Sequence, residues 1–174
     1  METPTVPINF VPAKAGETFK VGTITIRIME DGSRTGSLSL FATVLAFASD
    51  LTLLTCRQIH DESFLVTQGT LRFHALNGQT VDAKLGDYVT VPPRSPHTFS
   101  NPYDQEAKFF NTYTPAFYIN YFRLLATMNE QGQPMNPEAN RKAMGYFATI
   151  GVADDEMQMD KQQFYGDADP TAKK

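Results

Sequence analysis

The chain has 174 residues, of which 41% are hydrophobic and 20% charged, a balance typical of one globular domain with a buried core. The net charge of −4 and the lack of any basic run exclude a surface for nucleic-acid phosphates. No stretch reads as a membrane span or a secretory signal, and the single cysteine, Cys56, excludes an internal disulfide. These features predict a cytoplasmic protein that binds neither nucleic acid nor a membrane.

The residue pattern divides the chain into three parts. Residues 1–18 are rich in proline and predict an extended N-terminal arm, and residues 153–174 predict a polar C-terminal tail. Between them, residues 19–152 begin as short apolar runs separated by turn signals such as Asn77-Gly78, a pattern typical of β-strands and hairpins. Strands are predicted at residues 23–28, 38–47, 51–56, 63–67, 70–75, 88–91 and 108–114.

The spacing of apolar residues becomes helical after Pro115. Phe117, Tyr121 and Leu124 lie at helical intervals, so residues 116–129 predict a helix docked on a sheet. Residues 138–150 predict a second helix. Many short strands followed by two helices indicate an all-β fold, a jelly-roll barrel with C-terminal helices.

Two motifs in the strand-rich part carry titratable side chains. In the first, Glu62 is followed after six intervening residues by Gly69. The second motif consists of Gly86, Pro92, His97 and Asn101. This spacing resembles the two motifs of the cupin superfamily, although Arg94 stands where that family has a glycine.

The resemblance extends over residues 22–126, which look like small single-domain cupins of the quercetin dioxygenase-like kind. It implies a double-stranded β-helix barrel, frequently a homodimer, that acts on flavonoid-like or polyketide-like small molecules. It also implies a metal held by two histidines and a glutamate from the first motif and a histidine from the second. Only Glu62 and His97 of these ligands are present.

Whether the site is predicted to bind a metal depends on the two histidines that are missing from the first motif. Counting back from Glu62 puts Thr55 and Arg57, or Cys56 and Gln58, at their positions, and the sequence leaves both registers open. A facial triad of two histidines and one carboxylate suffices for iron or another divalent metal, and His60, Glu62 and His97 supply that count. Because the usual ligand set is incomplete, we favour a site without metal.

The favoured chemistry is metal-independent acid–base catalysis. Glu62 and His97 are predicted to converge inside the barrel as the acid–base pair, with Arg57 stabilising an oxyanion and His60 assisting. Such a pair could isomerise, dehydrate or cyclise a hydrophobic, oxygenated substrate of secondary metabolism. The alternatives are a metal-dependent, quercetinase-like dioxygenase and a non-catalytic ligand-binding cupin whose polar residues hold the barrel together.

Other predictions concern the surroundings of the pair. His74, next to Arg72, is predicted to be a surface residue, and the exposed edge strands predict a homodimer. The predicted substrate-binding residues are Gln58, Phe64, Phe73, Tyr88, Phe99, Asn101 and Tyr113.

Overall fold

The computed structural model shows two antiparallel sheets with helices at the C-terminal end of the chain. It describes residues 7–35, 39–45, 56–57, 60–75, 78–133 and 136–151, with the backbone alone for residues 39–45, 56–57 and 137. The strands in these ranges are β1 (Glu17–Val21), β2 (Ile24–Glu30), β3 (Ser39–Leu45), β4 (Cys56–Arg57), β5 (Asp61–Gln68), β6 (Thr70–Ala75), β7 (Thr80–Lys84), β8 (Tyr88–Val91), β9 (His97–Ser100), β10 (Ala107–Thr114) and β11 (Ile150–Gly151).

The strand order explains why residues far apart in the chain meet inside the barrel. One sheet has the order β1-β2-β3-β10-β5-β8, and the other has the order β11-β4-β9-β6-β7. Strands β5 and β9, which carry the two motifs, therefore belong to different sheets. This arrangement confirms the predicted all-β jelly-roll barrel.

The core forms where the apolar residues of alternating strands face inward. In β2, Ile24, Ile26 and Ile28 are buried and alternate with half-buried residues, as the period of two predicts. Rings from both sheets meet in the middle of the barrel. Centroid distances there include 4.8 Å between Phe64 and Phe73 and 5.4 Å between Phe99 and Phe109.

The helices follow a short 3₁₀ turn at Ala116–Tyr118 and are α1 (Ile119–Glu130) and α2 (Pro137–Gly145). Helix α1 lies against β1, and Arg123 ties it to the sheet through ion pairs of 2.6 Å with Glu17 and 3.2 Å with Asp31. The first helix was predicted within a few residues. The second ends earlier than predicted because Ile150 and Gly151 form β11 against β4. No helix among the described residues is long and apolar enough to cross a membrane.

Sequence patterns missed the strands that lack a clear alternation. All four residues of β9 are buried, so its inward and outward faces do not differ in polarity. In β7 only Ala83 is buried, and the rest of the strand is polar or exposed. The predicted strand at residues 51–56 lies outside the described residues except for Cys56, and so does Asn77 of the predicted hairpin.

Gly69 connects β5 to β6 at a point where no other residue fits. Its φ is +69°, and a Cβ built on it would lie 2.4 Å from the carbonyl oxygen of Glu106. Gly86 also has a positive φ, +89°, but nothing lies within 4 Å of its Cβ position. Both glycines have a positive φ, but only Gly69 has backbone atoms close to its Cβ position. A comparison of the two therefore separates the cost of backbone strain from that of steric overlap.

We expect Gly69→Ala to lower the free energy of unfolding clearly more than Gly86→Ala does. Both variants bear the strain of positive φ, about 1–3 kcal/mol, but only Gly69→Ala must also displace backbone atoms. Urea denaturation of the two variants and the parent measures the difference. Equal losses would show that the contact with Glu106 relaxes without cost.

Candidate functional site

Glu62 and His97 meet in the barrel interior, as the sequence predicts. Glu62 follows the first residue of β5, where Glu62, Phe64 and Val66 are the buried set of the strand. His97 begins β9 in the opposite sheet. The Nε2 atom of His97 lies 3.0 Å from Oε2 of Glu62, and the two residues are only 6% and 2% exposed.

Both ring nitrogens of His97 face hydrogen-bond acceptors. Nδ1 lies 3.0 Å from the carbonyl oxygen of Ser95, and Nε2 contacts the Glu62 carboxylate. An imidazole can donate from both nitrogens only when it is protonated. Burial opposes that charge, but the hydrogen bond and the charge of Glu62 outweigh it, so the pKa of His97 is raised.

Glu62 is surrounded by hydrogen-bond donors. Asn111 donates from Nδ2 to Oε1 at 3.0 Å, and the hydroxyl of Tyr113 also bonds to the carboxylate. Burial favours the neutral acid, but the hydrogen bond and charge of His97, together with these two donors, lower the pKa of Glu62. The pair is therefore an imidazolium beside a carboxylate.

Asn111 is a functional residue that the sequence analysis missed. Its Nδ2 also donates to the carbonyl oxygen of Ser63 at 2.9 Å, so Asn111 links the backbone of β5 to the Glu62 side chain. The available signal was the alternation of β10, in which Asn111 occupies an inward position between Phe109 and Tyr113. A polar side chain at such a position needs a buried partner.

His60 lies just before β5 and is 1% exposed. Its ring is 4.2 Å from the ring of Tyr118 and 5.2 Å from that of Tyr113, measured between centroids. Neither ring nitrogen has a hydrogen-bond partner among the residues that the structure describes. Burial is the main reason that the pKa of His60 is lowered to about 4, so its imidazole is neutral at pH 7.

The described donors do not fit a divalent metal. No three histidine, cysteine, aspartate or glutamate side chains in the described ranges lie close enough together to hold one, and this includes the predicted set of His60, Glu62 and His97. Both nitrogens of His97 already lie at hydrogen-bond distance from protein acceptors, so coordination through Nε2 would require its contact with Glu62 to break. A ligand of a metal ion must be deprotonated.

Two predicted site residues from the missing-ligand segment lie outside the described side chains. Gln58 is not described, and Arg57 is described only through its backbone in β4. The register of β4 pairs Cys56 with His97 and Arg57 with Ile150. In backbone terms, then, Cys56 is the residue directly opposite His97.

Several of the aromatic side chains that were predicted to bind substrate lie in the core beside the pair. Phe64, Phe73 and Phe99 are buried and pack on one another, and the centroid of the Phe64 ring is 6.3 Å from that of His97. These rings form a packed aromatic cluster beside the pair. Tyr113 is buried as well and contacts both Glu62 and His60.

The prediction for Tyr88 is wrong. Its side chain is 64% exposed, because it pairs with Leu65 on the outer face of the sheet, opposite the face of Glu62 and Phe64. Asn101 is buried, but its Nδ2 donates to the carbonyl oxygen of Gln105 at 2.7 Å. Asn101 therefore stabilises the turn after β9.

The prediction that His74 lies at the surface is also wrong. His74 does face away from the core, but it is buried and its Nε2 lies 2.9 Å from Oγ of Ser100. Thr98, which pairs with His74, is buried too. The outer face of β6 and β9 is thus covered at this position, which strand alternation alone does not reveal.

Comparison with known proteins supports the barrel and its motifs. Residues 57–113 match the family model described as a cupin domain. A polyketide cyclase, RemF from Streptomyces resistomycificus, has 13% identity and a TM-score of 0.54 over 67% of this chain and 94% of its own. A cupin-superfamily sugar phosphate isomerase from Silicibacter pomeroyi has 17% identity and a TM-score of 0.52 over 60% of this chain and 74% of its own.

At sequence identities this low, the comparison supports a shared fold but not a shared activity. The EutQ protein of Clostridium difficile has 21% identity and a TM-score of 0.44 over 53% of this chain, and the match spans 62% of the length of that protein. No curated protein matches the sequence of this chain. The match to the cupin-domain model over residues 57–113 and the jelly-roll topology together show that this chain has the cupin fold.

Proposed function

We propose that this protein is an enzyme that uses Glu62 and His97 for metal-independent acid–base chemistry on a hydrophobic, oxygenated small molecule. The observation that carries the proposal is the buried pair itself, with 3.0 Å between Nε2 of His97 and Oε2 of Glu62. The surroundings hold the two groups in opposite protonation states. A proton shift needs one group that accepts and one that donates.

The roles follow from those protonation states. The Glu62 carboxylate accepts a proton from a carbon next to a substrate carbonyl, and the His97 imidazolium donates a hydrogen bond and then its proton to the oxygen that becomes negative. Since Nε2 of His97 now donates to Glu62, the substrate oxygen must replace Oε2 of Glu62 as its acceptor. Return of the proton from Glu62 to another carbon, while the enol oxygen returns its proton to His97, completes an isomerisation without a metal or a redox partner.

The proposed substrate class rests on the apolar surroundings and on the family resemblance. Aromatic rings lie beside both members of the pair, which favours a hydrophobic ligand with few charges. A polyketide cyclase and a sugar phosphate isomerase have this fold, so the barrel is compatible with small-molecule catalysis, although the fold alone does not determine the reaction. Isomerisation, dehydration and cyclisation all begin with the same proton transfer.

A second candidate function is ligand binding without catalysis. The observation that favours it is the complete hydrogen bonding of His97, whose two nitrogens both have acceptors within the protein. An ion pair satisfied in this way can stabilise the barrel without taking part in chemistry. The donor set gives no comparable support to the dioxygenase, which needs a metal.

Proton exchange tests the two functions. We expect the parent to accelerate deuterium incorporation from D₂O into uncharged ketones fused to an aromatic ring, such as 2-tetralone, followed by NMR. Glu62→Gln should reduce the catalysed rate by about 100-fold, since general acid–base catalysis contributes about 10²–10⁴-fold. Glu106→Gln, which removes a surface carboxylate paired with Lys108, is the matched control and should exchange like the parent.

Equal exchange in Glu62→Gln and the parent would contradict the role given to Glu62. If none of these ketones exchanges faster with the parent than in buffer, and Glu62→Gln lowers the melting temperature, the non-catalytic function is favoured. The melting temperature therefore has to be measured on every variant.

The protonation states give a separate prediction that needs no substrate. The chain has three histidines, so ¹⁵N-labelled imidazoles give three assignable patterns. At pH 7 we expect an imidazolium pattern for His97 and neutral rings for His60 and His74, whose pKa values are both lowered to about 4 by burial. Loss of the His97 signals in His97→Gln assigns them.

The pH dependence of stability follows with a definite sign. Because the pKa of His97 is raised in the folded state, its contribution is complete below the ordinary value of 6.5 and is lost as the pH rises through the raised pKa. The contribution of Glu62 is complete above 4.5 and is lost as the pH falls through its lowered pKa. Glu62→Gln should remove the dependence of Glu62 and reverse that of His97, because burial, which lowers the pKa of His97, is then no longer outweighed. A neutral His97 ring at pH 7 in the parent would contradict the ion pair.

A further inference from the structure

His60 is a buried polar side chain for which the proposed acid–base pair has no use. The other two histidines have partners, Ser100 for His74 and Glu62 with Ser95 for His97. Both nitrogens of His60 lack one among the described residues, although the side chain is almost fully buried. Buried polar atoms without partners are rare because they lose the hydrogen bonds that water would supply.

Packing does not explain the choice of histidine. The contacts of His60 that the structure shows are aromatic, with the rings of Tyr118, Tyr113 and Phe117 at 4.2, 5.2 and 6.4 Å. A phenylalanine would make such contacts without leaving two nitrogens unsatisfied. Two buried nitrogens that no described residue satisfies are expected of a side chain that has a ligand to bind.

The position of His60 connects it to the pair. It precedes Glu62 by two residues, and the charges of Glu62 and His97 both act on its pKa. Tyr113 contacts His60 with its ring and Glu62 with its hydroxyl. Phe117 is 39% exposed, so His60 lies one ring below the surface. His60 thus lies between a partly exposed ring and the pair.

We propose that His60 is a substrate-binding residue that recognises an uncharged oxygen on a planar ring, an aromatic ketone or a phenol, and that excludes phosphates and carboxylates. This assignment rests on the proposed function, because it places the ring where Glu62 and His97 can exchange its protons. The neutral imidazole offers one donor and one acceptor, which match a carbonyl or a hydroxyl group.

The exclusion of anions follows from the charges around the site. The imidazolium of His97 is the cation of the pair, and its charge is already matched by Glu62. An anionic group brought next to His60 would lose its water, and the contacts that the structure shows for His60 are aromatic rings, which offer no cation in exchange. The neighbouring rings of Tyr118 and Tyr113 instead suit a flat, uncharged ligand.

The test measures binding by equilibrium dialysis with three probes of one shape: 2-naphthol, naphthalene and 2-naphthoate. We expect the parent to bind 2-naphthol about tenfold more tightly than either of the others, the upper range for one hydrogen bond. His60→Phe should lose this preference, keep its affinity for naphthalene and melt at the same or a higher temperature. His60→Gln, which retains a donor and an acceptor, should keep part of the preference.

Several results would overturn the assignment: a parent that does not prefer 2-naphthol, a His60→Phe variant that binds it like the parent, or a parent that prefers 2-naphthoate. A lower melting temperature in His60→Phe with unchanged binding would make His60 a structural residue. If His60→Phe does not fold, the assignment is tested on the ¹⁵N imidazole signals of the parent. Addition of 2-naphthol should shift the signals of His60 and not those of His74, and unchanged His60 signals would overturn the assignment.

The binding test of His60 can fail while the acid–base proposal stands, and the reverse, because binding requires no proton transfer. Glu62→Gln should retain the preference for 2-naphthol even when exchange is lost. If His60→Phe binds 2-naphthol like the parent while Glu62→Gln exchanges slowly, the role of His60 is refuted and the catalytic role of the pair stands. If His60→Phe loses the preference while Glu62→Gln exchanges like the parent, His60 is a binding residue and the catalytic role of Glu62 is refuted.

Discussion

Two charged groups removed from water inside the barrel are stable because each is the other's partner. The carboxylate of Glu62 and the imidazolium of His97 come from opposite sheets, and Asn111 and Ser95 satisfy the positions that the pair leaves open. Removing one partner of such a pair leaves a buried charge, which costs about 3–5 kcal/mol. The interaction therefore joins the two sheets and also maintains the protonation states on which the proposed chemistry depends.

The same pair contains the two members of the metal-binding pattern that this chain retains. A histidine held between two acceptors has to lose a proton and a hydrogen bond before it can coordinate a metal. His60 adds a neutral ring instead of a ligand, among aromatic neighbours. The described part of the site is suited to polarising an uncharged substrate between fixed charges.

Local patterns and motif spacing supported different parts of the prediction. Period-two alternation located β2, β5 and β10, and helical spacing after Pro115 located α1, since each of these elements has one buried face. The motif spacing correctly indicated that Glu62 and His97 meet. Strand alternation failed for β9, which is buried on both faces, and it misjudged His74, whose outward face is covered.

The sequence by itself determined the class of fold, the two motifs and the identity of the buried acid and base, because strand period and motif spacing are encoded locally. Only the tertiary structure decided which groups complete the site: Asn111 on Glu62, Ser95 on His97, aromatic rings around His60, and Tyr88 on the outside. These contacts depend on the order and register of strands from two sheets, and that pairing arises only when the barrel closes.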